Sequence, residues 1–139
     1  MVRKYERTEY RRGRTVVSRL HVHLVFVTKY RRGVLSDRAI EVIREAAQKV
    51  CRDFDAVLVE LNGEDDHIHA LVEYPPTVAL SRLVNSLKGV TSRMLRAQEF
   101  PEVKAKLWGE HLWSPSYFAV SCGGAPLEIV RQYIEDQRL

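Results

Sequence analysis

Several things are missing from this 139-residue sequence, and each absence narrows its function. No uninterrupted apolar run approaches the roughly 20 residues of a membrane-spanning helix, and the charged beginning holds no secretion-signal core. A soluble cytoplasmic protein with no membrane partner is therefore expected. Cysteine is scarce: Cys51 and Cys122 have no metal-binding spacing, and a reduced protein is the default. Internal repeats and low-complexity tracts are also absent, which leaves one domain large enough for a real core. Most of the chain even lacks a charge excess. Residues 1–18 carry six basic side chains against Glu6 and Glu9, out of 22 basic and 18 acidic in all. The other 121 residues therefore hold sixteen of each sign, and the net +4 belongs to an amino-terminal arm, 1–18, ahead of a single domain, 19–139.

What is present begins with that arm. Its basic residues Arg3, Lys4, Arg7, Arg11, Arg12 and Arg14, interleaved with Tyr5 and Tyr10, suit a polyanion whose bases can stack, although a solvated tail has the same composition. Arg19 to Lys29 reads as a strand that is apolar on both faces, hence central in its sheet. It leads into a second basic, aromatic cluster, Lys29, Tyr30, Arg31 and Arg32, a candidate backbone contact for nucleic acid. Ser36 is a good cap for a helix running to about Asp53, with Ile40, Ile43, Ala47 and Val50 on its apolar side. Ala56 to Leu61 and His67 to Tyr74 read as a hairpin across Asn62-Gly63-Glu64-Asp65. Thr77 is expected to cap a second helix, whose polar face offers Lys88 and Arg93 as phosphate contacts. Residues 100–109 read as irregular, a short strand ends near Ser121, and Pro126 opens a last helix. Strand, helix, strand, strand, helix, strand is the α+β, ferredoxin-like (RRM-like) pattern: helices on one face of an antiparallel sheet, the other face open, strands one and three central.

The chemistry centres on Asp66-His67-Ile68-His69. Alternation from His67 puts both imidazoles on one face, roughly 7 Å apart at about 3.3 Å of rise per residue. Such a pair can chelate one divalent ion, and a third ligand would leave positions open for substrate. Histidines merely lying on a half-buried face would show the same pattern. A rival pair, His21 and His23, lies mid-strand without a turn to bring it to the rim, and ranks lower. On the last helix Tyr133 and Gln137 are four apart and share a face. A tyrosine hydroxyl is a weak nucleophile near its usual pKa of about 10. Beside a metal that stabilises charge on a phosphate it could attack phosphorus, and Gln137 could be the third ligand.

Four segments, "VFVTKYRR", "DHIHALVEYPP", "LWSPSYFAVSCGG" and "IVRQYIEDQ", together resemble the single-tyrosine HUH transposases of the insertion sequence 200/605 type, in order and spacing over nearly the whole chain. The resemblance implies Mg²⁺ or Mn²⁺ held by His67, His69 and Gln137, and Tyr133 as the nucleophile. Cleavage of single-stranded DNA would form a 5′-phosphotyrosine and free a 3′-hydroxyl. It also implies hairpins near the element ends as the DNA partner, and a homodimer whose subunits share active sites, at work on the bacterial or archaeal nucleoid. Two readings from other classes are a non-catalytic nucleic-acid binder or repressor derived from a transposase, and a metal-dependent phosphoesterase that uses water.

Overall fold

A computed structural model describes residues 11–107, 109, 111–121 and 134–136. A small hairpin comes first, β1 (Arg11–Arg12) paired with β2 (Val17–Ser18). Then follow β3 (His21–Val27), α1 (Asp37–Asp53), β4 (Val57–Glu64), β5 (His67–Glu73), α2 (Leu80–Ala97), α3 (Pro101–Leu107) and β6 (Phe118–Ser121). The four-stranded sheet is antiparallel with order β4-β5-β3-β6. Its central neighbours, β5 and β3, are the first and third strands of the expected ferredoxin-like pattern.

Alternation decides which side chains meet the helices. Val22, Leu24 and Phe26 of β3 and Ile68, Ala70 and Val72 of β5 point into one core with Ile43, Ala47 and Val50 of α1 and Leu83, Val84 and Leu87 of α2. Burying a side chain of this size stabilises by about 1.5–3 kcal/mol, so this two-layer core fixes which face each strand presents. Cys51 is inside it, a free thiol that burial pushes up to about 12. Ser36 caps α1 as expected, its hydroxyl accepting from the Ala39 amide at 3.3 Å.

Three local expectations are corrected. β4 does not end at Leu61 but runs on through Asn62, Gly63 and Glu64, leaving Asp65-Asp66 as the turn. Gly63 permits this, because a Cβ there would lie 2.4 Å from the His67 carbonyl oxygen. Thr77 does not cap α2; the helix begins at Leu80 after Ala79, with no side-chain cap. Residues 101–107, read as irregular, form α3, where Pro101 needs no amide partner and Val103 and Leu107 bury one face.

The arm is partly ordered onto the sheet. From β1, Arg11 forms a two-point ion pair with Glu73, its Nε donating at 2.7 Å, and its Nη1 lies 3.2 Å from Asp55. Glu73 ends β5 and is 1% exposed. A carboxylate this buried needs its partner, so Arg11→Ala is expected to cost about 3 kcal/mol in urea unfolding. Arg11→Met combined with Glu73→Leu should regain most of that loss, since it leaves no unpaired charge. Equal instability of the single and double variants would show that the pair is not what holds the arm.

Candidate metal and nucleophile site

Register sets the site. Within the sheet His67 lies between Val27 of β3 and Glu64 of β4, and His69 lies between Val25 and Asn62. Cross-strand partners share a face, so these six side chains form two adjacent rows on the face away from the helices. The His67 and His69 rings are 6.4 Å apart between centroids and 28° from parallel. His23 joins them one row further on, 5.7 Å from His69. Val25 and Val27 are fully buried beside the pair. The second face of the sheet is thus not open throughout, as the sequence suggested, but closed along β3.

The turn before His67 is tightly held. Asp66 is 8% exposed, and its Oδ1 lies 2.9 Å from His67 Nδ1. Its Oδ2 accepts from Arg31 Nε at 2.8 Å and lies 2.7 Å from Arg31 Nη2. Burial alone would raise the Asp66 pKa, but hydrogen bonds from His67 and Arg31 outweigh it and hold the group below the usual carboxylate range. An ionised Asp66 can only accept from His67 Nδ1–H, so the neutral tautomer that it selects has its Nε2 lone pair free for a ligand. The Thr28 amide donates to the Asp66 carbonyl at 2.9 Å, and the turn Lys29–Arg31 follows. To aim Arg31 at Asp66, that turn holds Tyr30 and Arg31 at φ of 60° and 53°, the left-handed region non-glycine residues avoid.

His69 has its pKa lowered, first by burial and then by His23 and His67, with Glu60 and Glu64 opposing. The residue is therefore neutral at pH 7, the form that binds a metal. Two imidazoles on one face fit a divalent ion with open positions. The sequence reading assigned Glu64 to a turn; the structure puts it in β4, exposed and in register with His67. Among the described residues, no three of His, Cys, Asp or Glu are grouped to hold an ion. Tyr133 and Gln137, the expected nucleophile and third ligand, lie outside the described residues. Glu135 between them is described, and its Oε1 is 3.8 Å from Arg31 Nη1 of the same chain.

The expected DNA contacts divide into two groups. Arg11 and Arg31 have their guanidinium groups on carboxylates, and the Lys88 ammonium donates to the Ser114 and Ser116 carbonyls at 2.6 and 3.1 Å. Burial also lowers the Lys88 pKa. Arg12, Arg14, Tyr30 and Arg93 are exposed. Lys29 and Arg32 lie over the Tyr30 ring at 5.4 and 5.2 Å, a cationic and aromatic cluster beside the histidines.

A family model described as "Transposase IS200 like" matches residues 16–137. The chain belongs to this family. It is 30% identical over 129 residues to the ISDra2 transposase TnpA of Deinococcus radiodurans, covering 93% of this chain and 91% of that protein. It is 31% identical over 115 residues to the transposase of insertion sequence element IS200 from Salmonella typhimurium, covering 83% and 74%. A solved transposase structure from Deinococcus radiodurans R1 superposes with a TM-score of 0.83 at 31% identity, covering 92% of this chain and 98% of that one. A REP-associated tyrosine transposase bound to a REP hairpin shares the fold, with a TM-score of 0.50 and 18% identity over 92% and 68% of the two chains. As an IS200-like transposase the chain is a DNA-binding enzyme of strand cleavage and transfer, and no helix among its described residues is long and apolar enough to cross a membrane.

Proposed function

We propose that this IS200-like transposase cuts and rejoins single-stranded DNA at the ends of its insertion sequence through a tyrosine-linked intermediate. The observation that supports this reading is the Arg31–Asp66–His67 chain beside His69, which brings two imidazoles together on one face at the start of β5. His67, His69 and Gln137 would hold Mg²⁺ or Mn²⁺, which when bound supplies charge stabilisation at a phosphate oxygen. Tyr133 would give its phenolic oxygen to phosphorus as its proton passes to solvent water. The bond from phosphorus to the 3′ oxygen breaks, that oxygen takes up a proton, and the 5′ phosphate remains on the tyrosine. Because the linkage is still a phosphodiester, attack by a 3′-hydroxyl rejoins strands without ATP. Hairpins near the element ends, a homodimer and a nucleoid setting belong to the same reading, carried by the family resemblance.

The test is a labelled single-stranded hairpin substrate incubated with and without divalent ion. An SDS-resistant protein–DNA adduct that needs the ion supports the reading. Cleavage without adduct would indicate a water-using phosphoesterase, and binding with neither would indicate a repressor.

Asp66 can be tested through the tautomer it selects at His67. In Asp66→Asn the amide oxygen must face Arg31, which turns the amide NH₂ towards His67 Nδ1. The His67 proton then moves to Nε2 and the ligand lone pair is lost. Mn²⁺ affinity, measured by electron paramagnetic resonance titration, should fall about 10- to 100-fold, and nitrogen-15 shifts should report the changed tautomer. Unchanged affinity would mean that Asp66 only stabilises the turn.

A further inference from the structure

A cavity of about 580 Å³ opens on the helix side of the sheet, between α2 and residues 111–115. Its helix wall is one stripe of α2, with Lys88, Gly89, Ser92, Arg93 and Arg96 at spacings of one, three and four. Its other wall is Leu112, Trp113 and Pro115, with Lys29 and His111 at the edges. Among the described residues no carboxylate lines it, although the chain as a whole is nearly balanced in charge. Cations on one side and an apolar wall on the other, with Pro115 exposed and Leu112 and Trp113 largely buried, suit a phosphate joined to a base. The volume falls in the range of about 300–1,000 Å³ typical of small-ligand sites, with room for base, sugar and phosphate together.

The wall is preformed. The Lys29 amide donates to the Leu112 carbonyl at 2.9 Å, and the Ser114 amide to the Val27 carbonyl at 2.8 Å. Trp113 Nε1 donates to Thr91 Oγ1 at 3.1 Å, and Lys88 ties Ser114 and Ser116 to α2. These bonds stitch the wall to Val27, the residue directly opposite His67. Cavity and histidines therefore lie at the same end of the sheet on opposite faces, with the turn carrying exposed Tyr30 between them. Gly89 is the remaining clue. Glycine inside a helix is disfavoured, and a Cβ at this position would meet nothing within 4 Å. Packing does not require the glycine, but its lack of a side chain keeps the helix wall low.

We propose that this cavity is a subsite for one nucleotide of single-stranded DNA flanking the cleaved phosphodiester, its phosphate on the Arg93 side and its base against the Leu112–Pro115 wall. The subsite rests on the single-stranded substrate of the proposed function and adds where a neighbouring nucleotide is held.

The experiment uses the full chain and a fluorescein-labelled ten-nucleotide oligo(dT), with anisotropy read across a salt series and the Trp113 indole resonance followed by NMR. In the wild type the oligonucleotide should move that resonance. Gly89→Leu places a side chain in open space within the cavity and should melt no lower than the wild type. Its affinity should fall about tenfold, within the range for losing one base contact, and the indole resonance should no longer respond. Arg93→Gln should make the slope of log affinity against log salt shallower by about 0.7, one single-strand phosphate contact. A Gly89→Leu protein that binds within twofold of wild type, or a wild-type indole that stays still, overturns the subsite. So does inorganic phosphate that moves the indole as far as the oligonucleotide does, since that marks an anion site only. Adduct formation is scored on the same wild-type sample with a hairpin substrate. An absent adduct with an intact indole response counts against the tyrosine chemistry alone, and a normal adduct with no indole response counts against the subsite alone.

Discussion

Tyr133→Phe should form no SDS-resistant adduct with a single-stranded hairpin substrate, while binding that substrate and Mn²⁺ as the wild type does. The change removes one oxygen atom and keeps the ring, so packing has little to lose. Chemistry loses everything, because phenylalanine has no atom to join to phosphorus. Loss of a nucleophile commonly removes several powers of ten in rate, as in hydrolases where one triad member was deleted, so residual adduct should be undetectable. A variant that still forms adduct would place the nucleophile elsewhere, and Tyr117 or Tyr30 would then be the candidates to examine. Circular dichroism and Mn²⁺ titration on the same sample separate a chemical defect from a folding defect.

His67→Ala should be equally inactive alone, for the complementary reason that the nucleophile remains and a metal ligand is gone. His21→Ala should leave Mn²⁺ affinity nearly unchanged, since His21 lies opposite Glu73 at the far end of the sheet. Mixing the two dead proteins asks how sites are assembled. If a site joins Tyr133 of one subunit to His67 and His69 of the other, a heterodimer of Tyr133→Phe with His67→Ala collects both defects in one site. The other site is then wild type, and adduct should return on the subunit carrying His67→Ala. If each chain builds its own site, both sites of the heterodimer carry one defect and no adduct forms. The contact between Glu135 and Arg31 of one chain brings a neighbour of Tyr133 to that chain's own histidine rim, an arrangement that the second outcome would match. Isolated, tagged heterodimers that bind DNA yet form no adduct would falsify the shared site.

Much of this fold is legible in the chain because its periodicities are clean. Period two in β5 and period 3.6 in α1 and α2 are imposed by a core on one side, and both survive in the structure, while the doubly apolar β3 is buried on both faces from Leu24 onward. The histidine face is legible for the same reason. The errors arise where a local signal competes with tertiary contact. Asn62-Gly63 is a strong turn dipeptide, yet Gly63 serves close strand approach instead, and that hid the place of Glu64 in β4. In α3, Val103 and Leu107 give only one apolar repeat, too little to be seen without the core they meet. The pairing of Arg11 with Glu73 spans 62 residues, and no pattern along the chain announces it. Arginine read as a phosphate contact cannot be told from arginine tied to a buried carboxylate until the sheet brings them together.

The strand carrying the histidines is clamped at both ends. Asp66 precedes its first residue and is gripped by Arg31; Glu73 is its last residue and is gripped by Arg11. Sliding by one residue would already turn the imidazoles into the helix layer. Sliding by two is the subtler error, because alternation is preserved and His69 would take the place of His67 with the apolar face still matched. Such a slip would tear both carboxylates from their arginines at once and leave them buried without partners. The paired clamps therefore act as an alignment code for β5, rejecting a misfold that hydrophobic patterning alone would accept.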